Sequence, residues 1–189
     1  MTYLLNAFSL LLGLVFDAAA ALFVLRLLAE ASRADFHNPL SQFVYRYSNP
    51  VLAPLRRVLP NWRRLNLAAL LVAWLVLLLK QLALAALAGF VPALPGLLVL
   101  AVAALVDFVL ITWLVLVFGW SLLSMLQPDG YHPLLRFAGA LAAPLLRPLR
   151  GRLTVGMIDF SPTVVIVALL LARLLVAAPL YDLGARLAG

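Results

Sequence analysis

Four ionisable residues stand inside apolar runs. Asp17 lies in "LGLVFDAAAALFV", Lys80 in "LVLLLKQLALAA", Asp107 in "VAALVDFVLIT" and Arg173 in "ALLLARLLVAA". Two are acids and two are bases. A charge surrounded by hydrocarbon is costly and persists where an opposite charge or water meets it. The chemistry open to such a set is narrow. Paired, the charges lock helices together; rearranging, they pass an ion or proton. Other chemistries lack their residues. There is no cysteine, so thiolate nucleophiles, disulfides and Cys-based metal sites are excluded. His37 and His132 each stand near a proline with no cluster of carboxylates around them, so no metal site is expected. No Ser-His-Asp set, phosphate loop or paired-carboxylate motif is present. A non-enzyme without a cofactor is the expectation.

The elements that position these charges follow from composition. The 189 residues are 66% hydrophobic and 11% charged, with a mean hydropathy of +1.12. Soluble domains run at about 45–50% apolar and about 25% charged, so the expectation is an all-α integral membrane protein. A spanning helix needs about 20 apolar residues. Segments 4–30, 65–90, 97–126 and 162–180 qualify. The first lacks a basic n-region and is too long for a signal peptide, so it reads as a retained span. "GFVPALPG" at 89–96 reads as a tight hairpin between the second and third spans.

The two other connections are basic. Residues 31–64 hold Arg33, Arg46, Arg56, Arg57, Arg63 and Arg64, and residues 127–158 hold Arg136, Arg147, Arg150 and Arg152. Together they carry ten of the 14 basic residues, whereas the 89–96 hairpin carries none. The positive-inside rule puts both loops in the cytoplasm and both termini outside it. The net charge of +7 is then a surface for anionic headgroups, with nucleic acid a weak alternative.

The basic loops also repeat. With an offset of 94, Pro133 falls on Pro39, Pro144 on Pro50, Pro148 on Pro54 and Arg150 on Arg56. With a slip of one residue, Asp159 falls on Asn66 and Arg173 on Lys80. The expected architecture is two parallel two-helix repeats, 1–90 and 91–189, related by an axis along the membrane normal. Asn38-Pro39 is an N-cap and N1 pair. Leu40, Phe43, Val44 and Tyr47 then mark one apolar face, matched by Leu134, Phe137, Ala138 and Leu141. Short amphipathic helices over 39–48 and 133–142 are predicted in the interface, with Phe43 and Phe137 facing the membrane. Pro50 and Pro54, like Pro144 and Pro148, are expected to break and restart each elbow. Arg26, Glu30 and Arg33 form an i, i+4, i+7 ladder at the end of the first span. Ser161-Pro162 reads as the N-cap and N1 of the fourth span, with Asp159 pairing with Arg150 or Arg152.

Counting rise from the elbows, Asp17 lies about 22 Å deep, Lys80 and Arg173 about 21 Å, and Asp107 about 30 Å. An Asp17–Lys80 pair is therefore predicted. An Asp107–Arg173 pair is within reach of the long arginine.

"RADFHNPLSQFVYRYSNPVLAPLRRVLP" followed by "LNLAALLVA", with "PLLRPLRG" and "GMIDFSP" further on, resembles the YggT family of small bacterial and plastid membrane proteins. Asp35, Asn38, Pro39, Pro50, Pro54, Arg56, Arg57 and Pro60 fit its pattern, as do Asp159, Ser161 and Pro162. Asn66 departs from a frequent Asp, and His132 from the asparagine before proline. The resemblance implies a multi-pass inner-membrane protein with relatives linked to osmotic tolerance, cytochrome assembly, organelle division and nucleoid distribution. The expected function is a non-enzymatic assembly or organising protein whose elbows contact anionic lipid, partner proteins or other copies. The alternative is a minimal ion transporter using the buried charges.

Overall fold

The computed structural model describes residues 2–126, 132–151, 153–155 and 158–189; Arg152 lies outside them. Among these residues seven α-helices follow in order: α1 (Thr2–Ser32), α2 (Pro39–Leu55), α3 (Leu67–Leu87), α4 (Leu94–Leu126), α5 (Pro133–Leu146), α6 (Ser161–Ala172) and α7 (Ala178–Ala188). A π-helical turn, Arg173–Ala177, joins α6 to α7 without a break. Strands β1 (Thr154–Val155) and β2 (Ile158–Asp159) form a two-residue antiparallel ladder ahead of α6.

Among the described residues four helical stretches are long and apolar enough to cross a membrane: Tyr3–Ser32, Leu67–Leu87, Leu94–Met125 and Ser161–Ala188. The fourth exceeds the expected 162–180 because the helix persists through the π turn and past Pro179. Bilayer as solvent explains the surface. Leu10, Leu11, Leu14 and Val15 of α1 and Leu174 and Leu175 of the π turn are each more than half exposed. In water, leaving one such side chain unburied would forgo about 1.5–3 kcal/mol; against lipid tails it forgoes little.

In the bundle α1 packs on α3, α3 on α4, and α4 on α6 and α7, while α5 lies across α1 and α4 and α2 lies against α1 and α5. Small residues set the crossings, as they must where lipid already satisfies apolar surface. Ala20, Ala68, Ala69 and Ala73 are fully buried between α1 and its neighbours. A Cβ on Gly96 would collide with the backbone of Ala188, and one on Gly184 would come within 2.8 Å of Leu100 Cγ. The Ala93 N–H donates to the Ala188 carbonyl at 3.0 Å, closing that end. Gly89, at φ +76°, ends α3 in the left-handed conformation that glycine adopts without strain.

The prolines do not interrupt the elbow helices. α2 runs through Pro50 to Leu55, and α5 runs through Pro144 to Leu146. Pro50, Pro54 and Pro144 are all exposed, so the carbonyls they leave unbonded lie on the outer side. Pro148 does follow the end of α5. Asn38 caps α2 by accepting from the Leu40 N–H at 2.9 Å, and His132 Nδ1 caps α5 from Leu134 at 3.3 Å.

One of the two expected membrane-facing phenylalanines turns inward. α2 buries Ser41, Val44, Ser48 and Leu52, and leaves Phe43 and Tyr47 exposed with ring centroids 4.6 Å apart. In α5, Phe137 is buried, inside a core with Phe23, Val24 and Leu27 of α1. It does not face the membrane, because α5 packs this side against α4 and α1.

Candidate functional site

Two places gather the charged residues. The first lies within the bundle. Gly13 stands one turn before Asp17 on α1, and a Cβ there would sit 3.8 Å from Lys80 Cε. The lysine stem thus crosses from α3 at ordinary contact distance from that position. Lys80 Nζ then donates to both oxygens of Asp17, at 2.6 and 2.8 Å. Arg173, at the first position of the π turn, reaches Asp107 on α4 in a forked pair: Nε to Oδ1 at 2.6 Å and Nη2 to Oδ2 at 3.2 Å. Widened turns of this kind recur at functional sites. Asp107 and Tyr181 line one cavity of about 290 Å³ with Asp17, Lys80 and Gln81, and another of about 330 Å³ with Arg173. The two cavities thus have Asp107 and Tyr181 in common. In each pair the cation bonds to both carboxylate oxygens.

The second place lies at the elbow end. Arg26, on the buried side of α1, is 2% exposed, and its Nε lies 2.7 Å from Glu30 Oε1. Its guanidinium stacks 3.3 Å from the centroid of the Tyr45 ring on α2. Burial first, and Glu30 second, push the Tyr45 phenol above its ordinary range, which keeps it neutral. Arg56, just past α2, binds the same Glu30 carboxylate through Nη2. One acid thus serves two arginines. The third member of the sequence ladder, Arg33, does not join them. It occupies the left-handed position after α1 at φ +55°, where Ala34 N–H bonds to the Ala29 carbonyl at 2.9 Å.

The two elbows meet here. Asn38 Nδ2 donates to the Pro133 carbonyl at 2.7 Å, and Arg136 Nη2 lies 3.4 Å from Asp35 Oδ2. Asp35 also accepts from the His37 backbone N–H at 2.9 Å and faces the His37 ring at 3.1 Å; those bonds, the backbone one foremost, hold its carboxyl below the ordinary carboxylate range.

In the second elbow, Ser161 is the first helical residue and Pro162 the second, with Phe160 at the cap position. The Ser161 hydroxyl is turned away, donating to the Leu149 carbonyl at 3.1 Å. Asp159 does the capping instead, accepting from the Ser161 N–H at 2.9 Å, and bonding from Ser161 lowers its pKa. Arg150 contributes to that lowering only from a distance. No ion pair joins it to Asp159 among the described residues, and its guanidinium lies 5.0 Å from the Trp120 ring. The remaining elbow arginines, Arg46, Arg57, Arg63, Arg64, Arg136, Arg147 and Arg150, are exposed. Sequence reading missed that Tyr45 and Arg56 complete the Arg26–Glu30 cluster and that Tyr181 and Gln81 join the charge cleft. Helical spacing carries no signal for contacts made across turns.

Four apolar spanning helices, tied by elbows that meet at one end of the bundle, make this a multi-pass helical membrane protein. Sequence comparison gives the narrower assignment. The chain belongs to the CCB3/YggT family, whose profile matches residues 5–87 and 99–180. It is 34% identical to the uncharacterized protein YggT of Escherichia coli (strain K12), over 95% of this chain and 94% of that one. It is 31% identical to a protein encoded in the proC 3' region of Vibrio alginolyticus, over 90% of this chain and 94% of the other. No solved structure matches it.

Proposed function

We propose that this protein is a non-enzymatic organiser of the bacterial inner membrane, whose basic elbows hold anionic headgroups or the charged faces of partner proteins. The observation that carries the reading is the imbalance at the elbow end. Glu30, Asp35 and Asp159 are all engaged locally. Eight arginines there, Arg33 among them, are exposed among the described residues. Each cation near an anionic surface contributes about 1 kcal/mol at low salt. In this reading α2 and α5 lie along the cytoplasmic interface, with Phe43 and Tyr47 dipped into it, and both termini lie outside the cytoplasm.

The same reading treats the chain as two parallel repeats. The two stretches matched by the family begin at 5 and 99, the same offset of 94 that superposes the elbow prolines. The N-caps Asn38 and His132 are also 94 residues apart. The test is co-flotation with liposomes of graded anionic content. Replacing Arg57, Arg147 and Arg150 together by glutamine should weaken binding at least tenfold at low salt, and unchanged binding refutes the proposal.

A second reading rests on the cleft shared by Asp17, Lys80, Asp107 and Tyr181, which is what a minimal ion pathway would use. Ion flux into proteoliposomes holding only this protein, abolished by Asp17→Asn, would establish it. Silence from a folded preparation would remove it.

A further inference from the structure

The buried arginine cluster is incompletely satisfied. A guanidinium carries five N–H donors and no acceptor. Arg26 Nη1 and Arg56 Nε are buried without any hydrogen-bond partner. A buried charged donor left unpaired costs more than an ordinary hydrogen bond returns. The single carboxylate of Glu30 is already shared by both arginines. Beside them opens a cleft of about 840 Å³, lined by Arg26, Glu30, Arg33, Tyr45, Arg56 and Asn61 among others. That is far more room than one bridging water fills.

Arg33 supplies an independent sign. It holds φ +55°, a conformation costing a residue with a Cβ about 1–2 kcal/mol relative to the right-handed one. Glycine would hold that turn without strain, yet a long cation stands there and lines the cleft. Backbone strain of this kind collects at ligand sites. Three arginines against two carboxylates, Glu30 and Asp35, leave the cleft lining positive by one charge, and Asp35 is shared with Arg136 at 3.4 Å.

We infer that this cleft is a binding site for one phosphate-bearing anion, with Arg26, Arg33 and Arg56 as its cationic wall. The arginines offer planar forks suited to phosphate oxygens. Tyr45, neutral and stacked on Arg26, holds that guanidinium in place. Asn61, whose Nδ2 lies 3.4 Å from Glu30 Oε2, can turn its amide to the ligand instead. Its position where α1 meets the elbow suits the headgroup of an anionic phospholipid, and the same wall would accept a free phosphate. The inference rests on the reading of the elbows as an anion-holding surface. It differs in requiring one specific site rather than a diffuse field.

The experiment is native mass spectrometry of the full chain, purified in mild detergent with phosphatidylglycerol or phosphatidylcholine. A parallel arm follows thermal stability in inorganic phosphate against chloride at matched ionic strength. One phosphatidylglycerol per chain should be retained, at least tenfold in preference to phosphatidylcholine. Arg26→Gln and Arg33→Asn should each cut that retention about tenfold. Arg33 is exposed, and asparagine tolerates the left-handed conformation, so this second variant tests the site if Arg26→Gln fails to fold. Stabilisation by inorganic phosphate, lost in the same variants, with no lipid retained, identifies a free phosphate as the occupant and also supports the site. Neither lipid selectivity nor phosphate stabilisation, or wild-type occupancy in Arg33→Asn, overturns it. The exposed-surface variant of Arg57, Arg147 and Arg150 should keep the single bound lipid while losing liposome affinity. Failure of the site and failure of the elbow surface are therefore read separately.

Discussion

The Asp17–Lys80 pair permits a quantitative test of what an intramembrane ion pair does for this fold. At about 3 Å and an effective dielectric near 20, the mutual attraction is about 5 kcal/mol before desolvation is charged against it. Removing one member of a buried pair usually costs about 3–5 kcal/mol, mostly by orphaning the other. Here Lys80 is 23% and Asp17 37% exposed at the side chain, and a cleft adjoins them. Each single substitution, Asp17→Asn or Lys80→Met, is therefore expected to cost about 2 kcal/mol, below that range. The double variant leaves no orphan and should cost about 1 kcal/mol, giving a coupling of about 3 kcal/mol. For a chain of this size 1 kcal/mol moves Tm by about 2–4 °C. The singles should thus fall by about 4–8 °C and the double by about 2–4 °C. The assay is thermal unfolding in one detergent at one scan rate, followed by tryptophan fluorescence. A double variant that loses the sum of the two single losses would refute the argument.

Three further outcomes are expected. Gly96→Val should destabilise severely, beyond the about 1–3 kcal/mol of ordinary overpacking, because its Cβ meets the backbone of Ala188; Gly184→Ala meets the Leu100 side chain at 2.8 Å and should be milder in the same assay. Asp35 has a folded pKa below its ordinary 3.8, so its contribution is present above that value and is lost as pH falls through the lower folded value. Asp35→Ala should accordingly flatten the fall of Tm below about pH 4 while changing little between pH 5 and 8. Because the chain has no cysteine, single cysteines at Val58 and Val91 report orientation directly. An impermeant maleimide should label Val91→Cys in intact spheroplasts and Val58→Cys only after lysis, and the opposite pattern would invert the proposed topology.

The spans were legible because hydropathy alone marks a 20-residue run of lipid-facing side chains, and no tertiary knowledge is needed to see it. Asp17 and Lys80 were traceable for a related reason. Both sit in unbroken helices, so counting rise from the elbow fixes their depth. Arg56 and Tyr45 lay beyond such counting. Arg56 is 26 residues from Glu30 in sequence and reaches it across a turn whose geometry no periodicity reports. The prolines misled because their missing N–H predicts a break, whereas Pro50 and Pro144 face outward and forfeit only an exposed bond. Phe137 misled because its pattern matches that of Phe43; what separates them is that α5 packs on α4 as well as α1, whereas α2 lies outside them, a fact of the bundle rather than of the repeat.

The π-helical turn at Arg173–Ala177 bears on how the fourth span keeps its phase. Before it, Pro162, Val165 and Leu169 are buried; at its last residue Ala177 is, and after it Gly184 and Ala188. From Leu169 to Ala177 is eight residues, which in a uniform α-helix turns through about 800° and leaves the two stretches about 80° apart. The wider turn absorbs one residue, so the effective rotation is about 700° and both stretches face α4 within about 20°. The turn acts as a spare link in a chain drive, letting two segments of incommensurate spacing engage one track. Deleting Leu175, which is exposed within the turn, should leave the Gly184 contact intact. The same deletion at Leu183 would swing Ala188 away from Gly96 by about 100°.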